Sequence, residues 1–233
     1  MTGLSLPRQY SQDLEAIRAK VLEMGGLVED QFRQAIHALQ EGDSALAEKV
    51  VAADEQVNQL QVSLDRACVE LLVRRQPAAR DLRTIVATMR VLTDIERIGD
   101  EVTKVARAAA NLQTRNLLLL DPYRPVRAIA EAAQMMLRQA LDAYATMDKE
   151  LAVQMMALDE ELDHLFHEMT RNLMTYMMEE PKTISASLEI SWAAKAIERI
   201  GDHATNIGES VIFVVEGDDV RHTDYARRVL GIG

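Results

Sequence analysis

Ile95-Glu96-Arg97-Ile98-Gly99-Asp100 recurs unchanged as Ile197-Glu198-Arg199-Ile200-Gly201-Asp202, so one architecture is written twice in the chain. Thr103 and Thr205 extend the match at the same offset of 102 residues. A second set, Asp54-Glu55, Leu60 and Arg66, returns as Asp159-Glu160, Leu165 and Arg171 at an offset of 105. The small difference is absorbed around Pro77 and Pro181, where a helix hairpin tolerates it. Two separate segments repeated in the same order mark an internal duplication.

On either side of the repeated segments, helix breakers divide each half in the same way. Pro7 precedes an amphipathic stretch over 8–41, and Gly42-Asp43-Ser44 ends it with N-cap chemistry for the next helix. A second helix is expected over 45–75, stopping at Pro77, and a third over 81–114. Leu120-Asp121-Pro122-Tyr123-Arg124-Pro125 interrupts the chain, so the boundary falls near Pro122, giving bundles over 1–121 and 122–233. The second half predicts helices over 126–145, 149–178 and 185–216, the last ending at Gly217. Helices of ~30 residues are ~45 Å long, and three with short connections make an antiparallel bundle.

Composition agrees. The chain has 10 Gly and 5 Pro in 233 residues, too few turn formers for a many-stranded sheet, and 48% hydrophobic residues, enough for a core. The fold class is therefore all-α: two tandem, homologous three-helix bundles. A net charge of −11 argues against nucleic-acid binding and favours cationic partners or bound metal ions. Cys68 is the single cysteine and reads as a small buried side chain. The N-terminus carries Arg8, Asp13, Glu15, Arg18 and Lys20 without an apolar run, so no signal peptide is read there. The strongest apolar run, Ser210 to Val215, is far below the ~20 residues of a membrane span. A cytoplasmic protein is expected, reaching the inner membrane only through protein partners.

On a helical wheel of ~100° per residue, Glu96, Asp100, Thr103 and Arg107 share one stripe, and Ile95, Ile98, Val102 and Val105 form another. Glu198, Asp202, Thr205 and Glu209 align likewise, opposite Ile200, Ala204, Ile207 and Val211. The carboxylates are thus expected to face outward. Like charges at i,i+4 cost a helix ~0.2–0.5 kcal/mol, and a mid-helix glycine costs ~1 kcal/mol against alanine. Repeating both costs points to something cationic close to Gly99 and Gly201, although tight helix packing also calls for glycine. Glu96, Asp100, Glu198, Asp202 and Glu209 are the candidate metal ligands, with Asp54, Asp159 and Asn206 as further donors. Oxygen donors suit magnesium, calcium or manganese, and a cluster of carboxylates could also hold iron or zinc. Glu161-Leu162-Asp163-His164 has the Glu-x-x-His spacing of di-iron bundles, but no second copy occurs and His164 and His167 read as surface residues. Met135-Met136, Met155-Met156 and Met177-Met178 read as core or seam fillers.

The duplicated Glu-Arg-Ile-Gly-Asp segments resemble those of the PhoU family of bacterial regulators. The likeness extends over Ala53-Asp54-Glu55-Gln56-Val57-Asn58, the hairpin Arg75-Gln76-Pro77-Ala78-Ala79-Arg80-Asp81-Leu82-Arg83, Leu173-Met174-Thr175-Tyr176-Met177-Met178-Glu179 and Val220-Arg221-His222. It implies two three-helix bundles side by side and, in at least some members, multinuclear metal sites on the motif helices. It also implies a non-enzymatic role: repression of the phosphate-starvation response, between the phosphate-specific ABC transporter, through its ATPase subunit, and a phosphate-sensing histidine kinase.

One asymmetry qualifies the carry-over. Asn206 and Glu209 continue the second stripe where the first has Lys104 and Arg107, so tighter metal binding is expected in the C-terminal half. Long Met-rich amphipathic helices point to a homodimer. Two other classes compete: a carboxylate-bridged metal enzyme of the helical-bundle type, which needs an inward-facing open site, and a purely structural helical assembly protein.

Overall fold

Apolar residues at i, i+3 and i+4 build each long helix around one buried stripe. In the first helix that stripe runs through Val21, Met24, Val28 and Phe32, each wholly buried. The computed structural model describes residues 6–75, 77, 79–112, 120–121, 123–221, 223 and 225–231. Its helices are α1 (Leu6–Glu41), α2 (Ser44–Arg75), α3 (Ala79–Leu112), α4 (Pro125–Thr146), α5 (Lys149–Met156), α6 (Asp159–Glu179), α7 (Ile184–Glu216) and α8 (Tyr225–Leu230). A short 3₁₀ turn, Pro181–Thr183, precedes α7, and no strand occurs among the described residues. The expected boundary at Pro122, the end of the third helix at Thr114, and Gln76, Ala78 and His222 lie outside the described residues.

The caps arise from the local residues. Gly42 adopts a left-handed φ of 64°, and the Asp43 carboxylate accepts a hydrogen bond from the Leu46 amide at 3.0 Å, starting α2. Asp148 does the same for α5 through the Leu151 amide at 3.0 Å. Gly217, with φ 89°, closes α7 by donating to the Phe213 carbonyl.

One expected element divides. The single helix predicted over 149–178 is two, α5 and α6, with a turn at Ala157-Leu158. Asp159, Glu160 and Glu161 occupy the first turn of α6, where the helix dipole favours acids. In the first half the corresponding stretch runs through α2 unbroken.

α1, α2 and α3 pack as one bundle, and α4, α6 and α7, with α5, as the other. The most extensive packing of all joins α3 to α7, so the two motif helices form the spine between the halves. They run antiparallel: Asn111 meets Glu189, Glu101 meets Arg199, and Asp94 meets Asn206. A buried hydrogen bond of 3.0 Å between Thr88 and Tyr144 also ties the halves together. Ile95, Ile98, Val102 and Val105 are wholly buried, as are Ile200, Ala204, Ile207 and Val211, so both predicted core stripes hold. Cys68 is buried as expected. The methionine pairs are mixed: Met136 and Met155 fill the core, whereas Met135 and Met178 are exposed.

Candidate acidic sites on the paired motif helices

Gly99 and Gly201 set the distance between each motif helix and its neighbour. A Cβ on Gly99 would stand 3.0 Å from Asp54 Oδ1 and 3.5 Å from Val57 Cγ1. On Gly201 it would stand 2.2 Å from Leu162 Cδ2. Val57 and Leu162 are equivalent in the repeat, so both glycines admit an α2- or α6-type side chain; the close approach is helix packing.

That approach brings Asp54 to Glu96 and Asp100 in the first half. Burial raises the Asp54 pKa, and the charge of Asp100 adds to it, while Asn58, donating to Asp54 Oδ2 at 3.2 Å, and Arg107 pull it down. Burial likewise raises Glu96, followed by repulsion from Asp100 and Asp54; Arg97, 3.7 Å away, opposes it. Asp54 Oδ1 is buried without a hydrogen-bond partner. Thr103 is occupied with the Asp100 carbonyl at 2.8 Å.

The second half is more acidic. Burial, then the charges of Asp163, Asp202 and Glu198, push Asp159 up to about 6. Thr205 lies beside Asp159 and opposes that shift, yet its hydroxyl is buried without a well-formed hydrogen bond. Asp202 is raised by burial and by Glu198, with Lys195 opposing. Asp163 stands where the first half has Asn58, a fourth acid that the wheel did not single out although the repeat offset exposes it.

The wheel placed all these carboxylates outward, and for one of them the structure corrects that. Glu198 is only 7% exposed and receives Lys195 Nζ at 2.5 Å, because α6 packs over this flank of α7. Lys104 does not reach Glu96 or Asp100 either; it pairs with the buried Glu101 at 2.7 Å, joined by Arg199 at 3.5 Å. Asn206 and Glu209 sit away from the acidic group. Asn206 Nδ2 and His203 Nδ1 both donate to Asp94 Oδ1 at 3.0 Å across the α3–α7 seam. Glu209 lines a separate cavity with Arg90 and Arg221. Glu161, His164 and His167 are exposed, on the outer side of α6.

As a test of metal fit, the donors are oxygens throughout, two buried oxygens lack partners, and the carboxylates repel one another, all of which suits a hard cation. Among the described residues, however, no three His, Cys, Asp or Glu side chains converge on one coordination point. A cation would have to draw the side chains together.

Fold and site define a duplicated helical-bundle protein with paired acidic motifs on its central helices. Comparison with known proteins gives that class a family. The PhoU domain model matches twice, over residues 21–109 and 126–211. A phosphate-specific transport system accessory protein PhoU homolog of Pseudomonas putida is 46% identical over 222 residues, covering 95% of this chain and 86% of its own. The phosphate-specific transport system accessory protein PhoU of Escherichia coli (strain K12) is 39% identical, covering 92% and 88%. The crystal structure of PhoU from Pseudomonas aeruginosa superposes with a TM-score of 0.86 at 45% identity, over 90% of this chain and 100% of that one. The chain belongs to the PhoU family.

Proposed function

We propose that this chain is an accessory regulator of phosphate transport that represses the phosphate-starvation response when phosphate is plentiful. In this reading it is an adaptor without catalytic activity, placed between the ATPase subunit of a phosphate-specific ABC transporter and a phosphate-sensing histidine kinase. The names of relatives at 46% and 39% identity support the transport role. No helix among the described residues is long and apolar enough to cross a membrane, which fits contact with the bilayer through partners, from the cytoplasmic side. The adaptor is proposed to act as a homodimer.

The observation that carries the adaptor reading is the joining of both acidic sites through one α3–α7 spine. Hard cations, magnesium or manganese before iron or zinc, would be held by Asp159, Asp163 and Asp202, and more weakly by Asp54, Glu96 and Asp100. Neutralising those charges would relieve the repulsion between α6 and α7 and stiffen the surface offered to a partner. Glu198 serves by holding Lys195 rather than as an exposed ligand.

Deletion of the gene should derepress phosphate-scavenging genes in phosphate-replete medium. Restoration by wild type but not by an Asp163→Asn/Asp202→Asn variant would support the cation-dependent adaptor; normal repression in the deletion strain would refute the role.

A further inference from the structure

The α3–α7 seam has two ends that the repeat makes equivalent, and they differ. Arg90 and Trp192 occupy matching positions, 102 residues apart. At the Arg90 end, beside the cavity that Glu209 lines, Asp219, held by Arg221, lies 3.8 Å from Arg90, whose guanidinium also stacks on Phe213 at 4.8 Å. That end thus carries its own acid on a cation, beside an aromatic ring. At the other end Trp192 is 61% exposed, in an open groove of about 420 Å³. Ala108 and Ala196 line it at the seam, and Lys104, Arg107, Lys195 and Arg199 surround it. Lys104 and Arg199 share Glu101 and Lys195 is held by Glu198, so with Arg107 and Glu189 the groove carries four cations against three acids, an excess of positive charge in a chain whose net charge is −11. Tryptophan and arginine are the residues that most often dominate protein interfaces, with charge complementarity selecting the partner.

We infer that this groove docks an acidic segment of a partner protein, with an apolar or aromatic side chain of that segment lying on Trp192. The inference rests on the adaptor reading and names the surface it uses. Asp219 on Arg90 is the same chemistry supplied within the chain; the Trp192 end takes it from outside. No basic cluster is legible along the sequence because Lys104 and Arg107 on α3 meet Lys195 and Arg199 only through the antiparallel pairing.

Phosphate-replete cells would express wild type, Trp192→Glu and Trp192→Phe, plus a form carrying a benzophenone amino acid at position 192. Each form's recovery of transporter and kinase is measured, and the crosslinked peptide is sequenced. Melting by circular dichroism checks that the exposed substitutions leave the fold intact. The expected result is partner recovery by wild type and Trp192→Phe, at least a tenfold loss in Trp192→Glu, and a crosslink to an acid-rich partner segment. Equal recovery by Trp192→Glu would overturn the groove while leaving the adaptor standing. A crosslink to a second copy of this chain or to a segment without acids would also overturn it. If wild type recovers neither partner, the adaptor reading fails, and the crosslinked segment alone decides the groove: an acid-rich one upholds it, any other result removes it.

Discussion

Gly201 and Leu162 touch so closely that a methyl group on the glycine would lie 2.2 Å from Leu162 Cδ2. Both belong to the C-terminal motif region, and α6 rests on α7 at this point. Gly201→Ala therefore forces a fully buried leucine to move, against a gain in helix propensity of only ~1 kcal/mol. Set against an overpacking cost of about 1–3 kcal/mol, this leaves a net loss of up to about 2 kcal/mol, read as a drop of a few degrees in melting temperature. Adding Leu162→Ala should make Gly201→Ala less harmful than it is alone; full additivity of the two would contradict the contact.

Gly26 is the contrasting case. Nothing lies within 4 Å of where its Cβ would be. Gly26→Ala should stabilise the protein by roughly 0.5–1 kcal/mol through the lower entropy of the unfolded chain and better helix propensity. A melting temperature that falls would show an unseen neighbour at that face.

Asp159 predicts a pH dependence. Its pKa is about 6 in the folded protein against an ordinary value of 3.8, so folding favours the protonated form. Stability from this group is full below pH ~4 and is lost as pH rises through about 6. Asp159→Asn should therefore raise stability at pH 7.5, by ~1 kcal/mol once solvent screening is allowed for, and leave it unchanged near pH 4. Saturating manganese should shrink that gain, since a cation stabilises the ionised aspartate that the variant lacks. Equal melting of variant and wild type at pH 7.5 would remove the repulsion argument.

Asn58 and Asp163 distinguish the two halves. Asp163→Asn should weaken manganese binding in the C-terminal half by roughly tenfold, about 1.4 kcal/mol, and Asn58→Asp should strengthen the N-terminal site by a similar factor. Calorimetric titration reads both; two equal wild-type sites would contradict the asymmetry.

Cys68 should resist thiol reagents. It is buried, and burial together with Asp65 pushes its pKa up to about 11. Labelling near pH 8 is expected to track unfolding rather than thiolate formation, so rapid native labelling would place it elsewhere.

Much of the fold was legible in the sequence because the signals were local. Gly42 and Asp43, Pro77, and Gly217 mark the ends of helices through their own conformational limits, and the four-residue core stripes are periodic. The Ala157-Leu158 turn carries neither glycine nor proline; only the acids from Asp159 onward hinted at a helix start. Glu198 was misplaced because a wheel describes one helix, and the side chains that bury this flank come from α6. His203 and Asp94 could not be matched beforehand, since their meeting depends on how α3 lies along α7.

Two identical subunits joined along an antiparallel pair of helices would present the same surface twice, as two-fold symmetry requires. Carrying both copies in one chain removes that obligation. Position 90 is arginine and position 192 tryptophan, one with an acid of the chain's own beside it and the other largely exposed. The molecule consequently has a front and a back. A partner that reads one end finds no second copy of it within the same chain.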